Sequence, residues 1–278
     1  MLFTPATETE KAKKAWKYEP DAVILDLEDT IPVPQKEAAR NGAREVMDSI
    51  DQNWYVRINS FSTNMWREDL NYIFNSHLKG ILVPKVEDAV QIRSIDKLLR
   101  QLEEKNRMKP NTKLIPIIET IQGLRKVSKI SLSSKRIQAL AFGEGDFSLD
   151  LGIDWNSSSF IISWAKAIIV VESRVAGLEK PHDGVYPKLH DLEGLKMSTI
   201  RAKELGFGCK HCIHPEQISV IKDILKPDQK TIQVSERIVT EFENALSRGN
   251  ASITVGDIFV DFPVYNRAKR ILEEMKKI

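Results

Sequence analysis

Two carboxylates at the ends of apolar runs are the residues in this sequence best placed to do chemistry. Leu114–Ile118 runs into Glu119, and Ile137–Phe142 is followed within four residues by Asp146. Between them Thr120–Lys129 has helical spacing, with Ile121, Leu124, Val127 and Ser128 on one side and Gln122, Arg125, Lys126 and Lys129 on the other. Strand, helix, strand is the crossover unit of a parallel sheet, whose chemistry gathers in the loops at the strand C-termini. So placed, Glu119 and Asp146 leave neighbouring strands at one end and can share an ion. Two hard oxygen ligands, with the other positions left to water and substrate, suit Mg²⁺. Position alone leaves open whether they hold an ion or cap two strands.

Other strand exits carry Asp26, Glu28 and Asp29, then Arg57, Lys85 and Asp183. Two carboxylates for a cation with a guanidinium beside them would stabilise an enolate as a carbon–carbon bond breaks. Arg57 could equally be the structural partner of Asp26 or Glu28. Lys85 admits Schiff-base chemistry with a keto substrate, or a plain ion pair with Glu87. CKHCIH (Cys209–His214) looks like a zinc or redox motif, but it is one compact cluster, and His77, His182 and His190 show no paired spacing. A packed strand is the better reading of it.

These residues need a frame. Strand candidates are Leu2–Thr4, Ala22–Leu27, Trp54–Ile58, Gly80–Val83, Leu114–Ile118, Ile137–Phe142, Lys180–Val185 and Cys209–Ile213, alternating with helical segments. A short turn, LDLGIDW, is expected after Asp146, and a long helix from Ser159 to about Ala176. Eight repeats predict an α/β protein with a (β/α)₈ TIM barrel over residues 1–226. GEGDFS lacks the third glycine of a dinucleotide fingerprint, so an open doubly wound sheet is not supported. Residues 227–278 form a C-terminal extension: a helix over Asp228–Leu246, a hairpin or lid around Gly256-Asp257, and a closing helix over Pro263–Lys276.

Composition agrees with this frame. The 278 residues are 42% hydrophobic and 29% charged, with a formal net charge of +2, which argues for a sizeable core and against nucleic acid as a partner. No run is long enough for a membrane span, no secretory leader is expected, and two cysteines, Cys209 and Cys212, suit a reducing, cytoplasmic setting.

Taken in order, DAVILDLEDT with Lys36 and Arg40 behind it, VRIN, VPKVE, PIIET, ALAFGEGDFSLDLG, DGVY, LGFGCKHCIHPEQI and VDFPVYNRAKRIL cover nearly the whole chain. In these motifs it resembles the HpcH/HpaI aldolase–citrate lyase superfamily, on the citrate lyase β subunit branch. The resemblance implies a (β/α)₈ barrel, Mg²⁺, and Claisen-type cleavage or formation of a short 3-hydroxy-acyl thioester on CoA or an acyl carrier, giving acetyl-CoA and a 2-keto acid. It implies Glu119 and Asp146 as metal ligands, with Glu119 also at the substrate. Arg57 would hold the keto-acid carboxylate or thioester oxygen, and Asp29 belongs with the catalytic group. Asp261 resembles an aspartate that a neighbouring subunit's lid inserts, which implies a homo-oligomer, a trimer by the resemblance. Related chains read PG-x-R near the start, whereas this one has Pro5-Ala6-Thr7-Glu8. Positive charge for the carrier would then come from Lys11, Lys13, Lys14, Lys36 or Arg40. Otherwise the substrate is no standard CoA ester. A CoA-independent 2-keto acid aldolase, or a catalytically silent thioester-binding barrel, are the alternatives.

Overall fold

The computed structural model describes residues 1–109, 111–155 and 159–275. Eight strands lie parallel in chain order: β1 (Leu2–Pro5), β2 (Val23–Asp26), β3 (Trp54–Arg57), β4 (Leu78–Val83), β5 (Lys113–Ile118), β6 (Ala141–Phe142), β7 (His182–Asp183) and β8 (Cys209–Lys210). Past β8 the chain returns to β1. Leu2 and Cys212 form a parallel bridge, and the Phe3 amide donates to the Cys212 carbonyl at 2.8 Å. The ring is thereby closed, as the eightfold alternation predicts.

Helices α1 (Thr9–Ala15), α2 (Lys36–Ser49), α3 (Trp66–Ile73), α4 (Ala89–Lys105), α5 (Ile121–Arg125), α6 (Val127–Ser131), α7 (Glu144–Leu151), α8 (Phe160–Val175), α9 (Leu192–Leu205) and α10 (Glu216–Leu225) fill the connections. Two differ from expectation. The Thr120–Lys129 segment is two short helices, its entry capped by the Thr120 hydroxyl, which accepts from the Gly123 amide at 3.0 Å. The turn expected after Asp146 is instead the end of α7, so Asp146 lies in the first turn of a helix. Glu144 and Asp146 favour that helix start by complementing its dipole, and Gly152, at φ +73°, ends it.

Alternation decides what enters the barrel. Ile24, Leu82, Ile115, Ile117 and Ala141 form an apolar cluster, flanked by Met1, Phe3 and Tyr55. The intervening residues, such as Val23, Leu25, Val56, Ile81 and Leu114, join the larger core with the helices. Side chains two apart share a face, so the inward rows Ile24–Asp26, Tyr55–Arg57 and Ile117–Glu119 each end in a charged group at the strand exits.

The ladders are unequal. β1 to β5 run four to six residues, whereas β6, β7 and β8 run two each. Buried ion pairs join the short strands: Lys166 of α8 lies 2.8 Å from both Glu144 and Asp183, and Lys210 of β8 also pairs with Asp183. Lys210 further donates to Ser198 of α9 at 3.1 Å. Asp183 is therefore a structural partner of two lysines, held ionised: burial opposes its charge, but the two lysines outweigh burial.

The chain divides into two compact units, Met1–Leu225 and Lys226–Ile278. In the second, α11 (Gln229–Leu246), the antiparallel pair β9 (Ile253–Val255) and β10 (Ile258–Val260), and α12 (Phe262–Met275) share a small core of Ile238, Phe242, Val255, Val260 and Ala268. Gly256, at φ +65°, makes the hairpin turn. Lys276, where the closing helix was expected to end, lies outside the described residues.

Removing Lys166 leaves two buried carboxylates undercompensated. Lys166→Met is expected to lower unfolding free energy by about 3 kcal/mol, read by urea denaturation. A loss below about 1 kcal/mol would show that the short strands do not depend on this network.

Candidate active site

At the strand exits the inward rows converge. Asp26 is fully buried and takes a two-pronged contact from Arg57, whose Nε and Nη2 each donate to one carboxylate oxygen at 2.7 Å. Asp26 also accepts from the Glu28 amide at 3.0 Å and the Thr30 hydroxyl at 2.7 Å. Burial alone would raise its pKa, but Arg57 and these donors hold it below the usual carboxylate range. Arg57 Nη1 reaches Asp29 at 3.1 Å and lies 3.2 Å from Glu28, and the guanidinium covers the Phe3 ring at 5.0 Å. Both sequence readings of Arg57 meet here: it is the partner of Asp26, and its Nη1 edge points among the other acids.

Lys85 follows β4 at φ +50° and turns away from Glu87. Its Nζ lies 2.9 Å from Glu28, 3.2 Å from Asp29 and 3.9 Å from Asp146. The Glu87 pairing expected from sequence is thus replaced by the acid cluster. Burial would depress the Lys85 pKa, yet the facing carboxylates raise it, so the ammonium is firmly protonated. Imine formation needs the opposite shift.

Glu119 is buried, and its Oε1 accepts from the Lys85 amide at 2.7 Å. A Cβ at Gly143 would collide with this carboxyl, so the glycine of β6's exit lets Glu119 seat. Burial first, then the charges of Glu28 and Asp146, push the Glu119 pKa well above its ordinary value. Glu28 is raised to about 7, by burial and Asp29 against the lowering pull of Arg57 and Lys85. The Glu28 Oε2 atom is buried without a hydrogen bond. Five carboxylates (Asp26, Glu28, Asp29, Glu119 and Asp146) thus crowd around the cations Arg57 and Lys85. This excess of hard oxygen and negative charge fits a divalent cation.

The remaining sequence candidates are placed differently. Lys36 donates to the Leu27 and Glu28 carbonyls at 2.6 and 2.7 Å, and Arg40 pairs with Asp69 at 2.7 Å and Glu68 at 3.0 Å, so both are buried structural cations. Lys11 pairs with Glu8 at 3.2 Å and Lys13 with Glu45 at 2.7 Å. Lys14 is exposed in the last turn of α1 and, like Lys36, has no ion-pair partner among the described residues. It takes no part in the acid cluster. In the second unit, Asp261 precedes α12 and its Oδ1 accepts from the Val264 amide at 3.3 Å, a helix cap. Glu28 and Lys85 have a larger part in the cluster than sequence spacing implies. Three acids within DLEDT (Asp26, Glu28 and Asp29) were the available signal.

A family model, HpcH/HpaI aldolase/citrate lyase, matches residues 1–215. The chain belongs to that family. Among curated members, the citrate lyase subunit beta of Haemophilus influenzae is 27% identical, covering 99% of this chain and 96% of the relative. The L-malyl-CoA/beta-methylmalyl-CoA lyase of Rhodobacter capsulatus is 28% identical, covering 100% and 95%. Among solved structures, the family protein CitE of Mycobacterium tuberculosis, in complex with magnesium, acetoacetate and coenzyme A, superposes with a TM-score of 0.77 at 25% identity, covering 98% and 96%. RipC of Yersinia pestis gives 0.70 at 30% identity, covering 83% and 96%.

A family barrel with such a mouth should show its charge crowding in stability. Because the Glu28 pKa is raised from 4.5 to about 7 on folding, the native state binds more protons between those values. Its contribution to stability is therefore greatest below about pH 4.5 and declines as pH rises through about 7. In chelator-treated protein, Glu28→Gln should gain roughly 2–3 kcal/mol relative to wild type on going from pH 5 to pH 8. Denaturation curves at the two pH values read this, and an unchanged difference would mean that Glu28 is already ionised at pH 5.

Proposed function

We propose that this protein is a Mg²⁺-dependent carbon–carbon lyase. It cleaves, or forms, a short 3-hydroxy-acyl-CoA thioester such as citramalyl-, malyl- or citryl-CoA, giving acetyl-CoA and a 2-keto acid. The observation that carries this is the pair Glu119 and Asp146 at adjacent strand exits, in an acid-rich mouth that holds one guanidinium. Family membership and the relatives' recorded activities support the same reading.

Glu119 and Asp146 would hold the ion, which when bound polarises the keto oxygen and offsets developing negative charge. Arg57, kept in plane by Asp26, offers its Nη1 edge to the substrate's carboxylate or thioester oxygen. Asp29, half-exposed at the mouth, would take the proton of the 3-hydroxyl. The C2–C3 bond then breaks, its electron pair passes into the thioester enolate, and a proton donated to C2 completes acetyl-CoA. Lys85, protonated, neutralises Glu28 and Asp29 rather than attacking a carbonyl. Lys14 would supply the cation of the α1 region for a CoA or acyl-carrier phosphate, standing in for the basic residue that Glu8 replaces.

Residues 1–226 would then carry the metal and substrate groups, with 227–278 as a lid. Phe259, Phe262 and Ile258 are exposed beside Asp261, an apolar surface suited to covering a partner's barrel mouth. Asp261 would supply the proton at the enolate carbon, in a cytoplasmic homotrimer whose sites are shared between subunits.

Turnover of a malyl-, citramalyl- and citryl-CoA panel should require Mg²⁺ and fall more than about a hundredfold in Glu119→Gln. Absence of turnover of every thioester at high enzyme concentration would overturn the reading. For the shared lid, Asp261→Ala and Arg57→Ala chains should each be inactive. When co-assembled they should regain activity at roughly a quarter of the sites, and mixtures regaining none would place each site within one chain.

A further inference from the structure

At the opposite mouth, where the strands begin, the barrel's inner face carries softer donors. The β7–β8 ladder pairs His182 with Cys209, and His211 lies two residues beyond Cys209. All three side chains therefore share the inward face. His182 Nδ1 lies 3.2 Å from His211 Nε2, and one donor atom from each of the three residues lies within 4.8 Å of the other two. The two imidazoles meet edge to face at 5.3 Å, and Phe3 packs edge-on against His211 at 5.4 Å. His182 and Cys209 line a cavity of about 620 Å³ bordered also by Met1, Tyr55, Lys113 and Gln138.

The compact CKHCIH motif does not itself converge. Cys212 turns its sulfur to the Met1 carbonyl at 3.4 Å, and the His214 ring lies against His190, 6.1 Å between centroids. The strand register instead brings in His182, a residue no local spacing joins to Cys209. Burial keeps the His211 ring neutral, reinforced by nearby positive groups. Burial would raise the Cys209 thiol, but His182 and the Met1 amino group outweigh it and bring the thiol down to about 7.

We propose that His182, Cys209 and His211 form a site for one Zn²⁺-class ion, with a fourth coordination position open to the cavity. Two imidazole nitrogens and a thiolate select such an ion over Mg²⁺, as the carboxylate mouth selects the reverse. With metal–nitrogen bonds of about 2.0–2.1 Å, the nitrogen–nitrogen edge of a tetrahedron is about 3.3 Å, close to the distance seen here. The sulfur–nitrogen edges are about 3.6 Å, so closing on an ion asks the separations to shrink by at most about 1.2 Å. Binding releases the Cys209 proton to solvent. Three protein ligands with one open position is the arrangement of a site that admits an exogenous ligand, here from the cavity side.

Cobalt(II) titration of the full chain under saturating Mg²⁺ tests this independently of the lyase reading, because only thiolate ligation yields a sulfur-to-cobalt charge-transfer band. One equivalent should produce that band together with intense tetrahedral d–d absorption, and Zn²⁺ should displace it. Cys209→Ser should abolish the band. His182→Gln and His211→Gln should each weaken binding at least tenfold, and Cys212→Ser should leave it intact. No charge-transfer band in wild type overturns the proposal, without recourse to any variant. A band that survives in Cys209→Ser, or vanishes in Cys212→Ser of native circular dichroism, overturns it too.

Discussion

Like charges crowded at one barrel mouth set the terms for the rest of this structure. Asp26, Glu28, Asp29, Glu119 and Asp146 arrive there because inward-facing positions recur every second residue and the loops add acids of their own. Only opposing cations and hydrogen-bond donors make the arrangement tolerable. Arg57 offsets the most deeply buried acid, Asp26, through two parallel bonds, and Lys85 bridges Glu28 and Asp29. What they leave unbalanced adds to the effect of burial on Glu119, whose carboxyl is driven toward its neutral form. Burial raises the Glu119 pKa first and the neighbouring acids add to it; a divalent cation would oppose both by supplying the missing positive charge.

The outer wall answers a different demand. Where β1–β5 run long, backbone ladders and the apolar core hold them. Where β6–β8 shrink to two residues, Glu144, Lys166, Asp183 and Lys210 tie strand exits to α7 and α8. Buried ion pairs add little net stability over apolar packing but are costly to break. They fix which lysine meets which acid, and so fix the strands that cannot fix themselves through ladders.

Much of this was legible from residue order. Apolar runs ending in DLEDT, VRIN and PIIET placed Asp26, Arg57 and Glu119 at strand exits, and eightfold alternation gave the barrel. Other features were hidden for physical reasons. Lys36 and Arg40 read as available cations because a helical stripe of basic residues looks solvent-facing until its neighbours are known. In the fold they meet carbonyls and Asp69. Asp146 read as a strand-end residue because GEGDF carries two glycines, yet Gly143 serves as a helix entry and α7 follows. The pairing of Lys85 with Glu28 rather than Glu87 depends on a left-handed backbone at Lys85, which sequence does not announce. His182 joins Cys209 only through strand register, a long-range property.

The uneven ladder lengths also have a temporal consequence. Amide protons of β2–β5 sit in extended runs of hydrogen bonds, whereas those of β6–β8 depend on two-residue pairings and on side chains beyond them. Opening fluctuations concentrate where ladders are short, so the barrel should breathe along its β6–β8 side while the β1–β5 side stays shut. The seam between these halves runs between β5 and β6, which puts Glu119 on the stiff wall and Asp146 on the yielding one. The gap between the two carboxylates is then the coordinate along which this barrel is softest, and anything gripping both would quiet the whole wall at once.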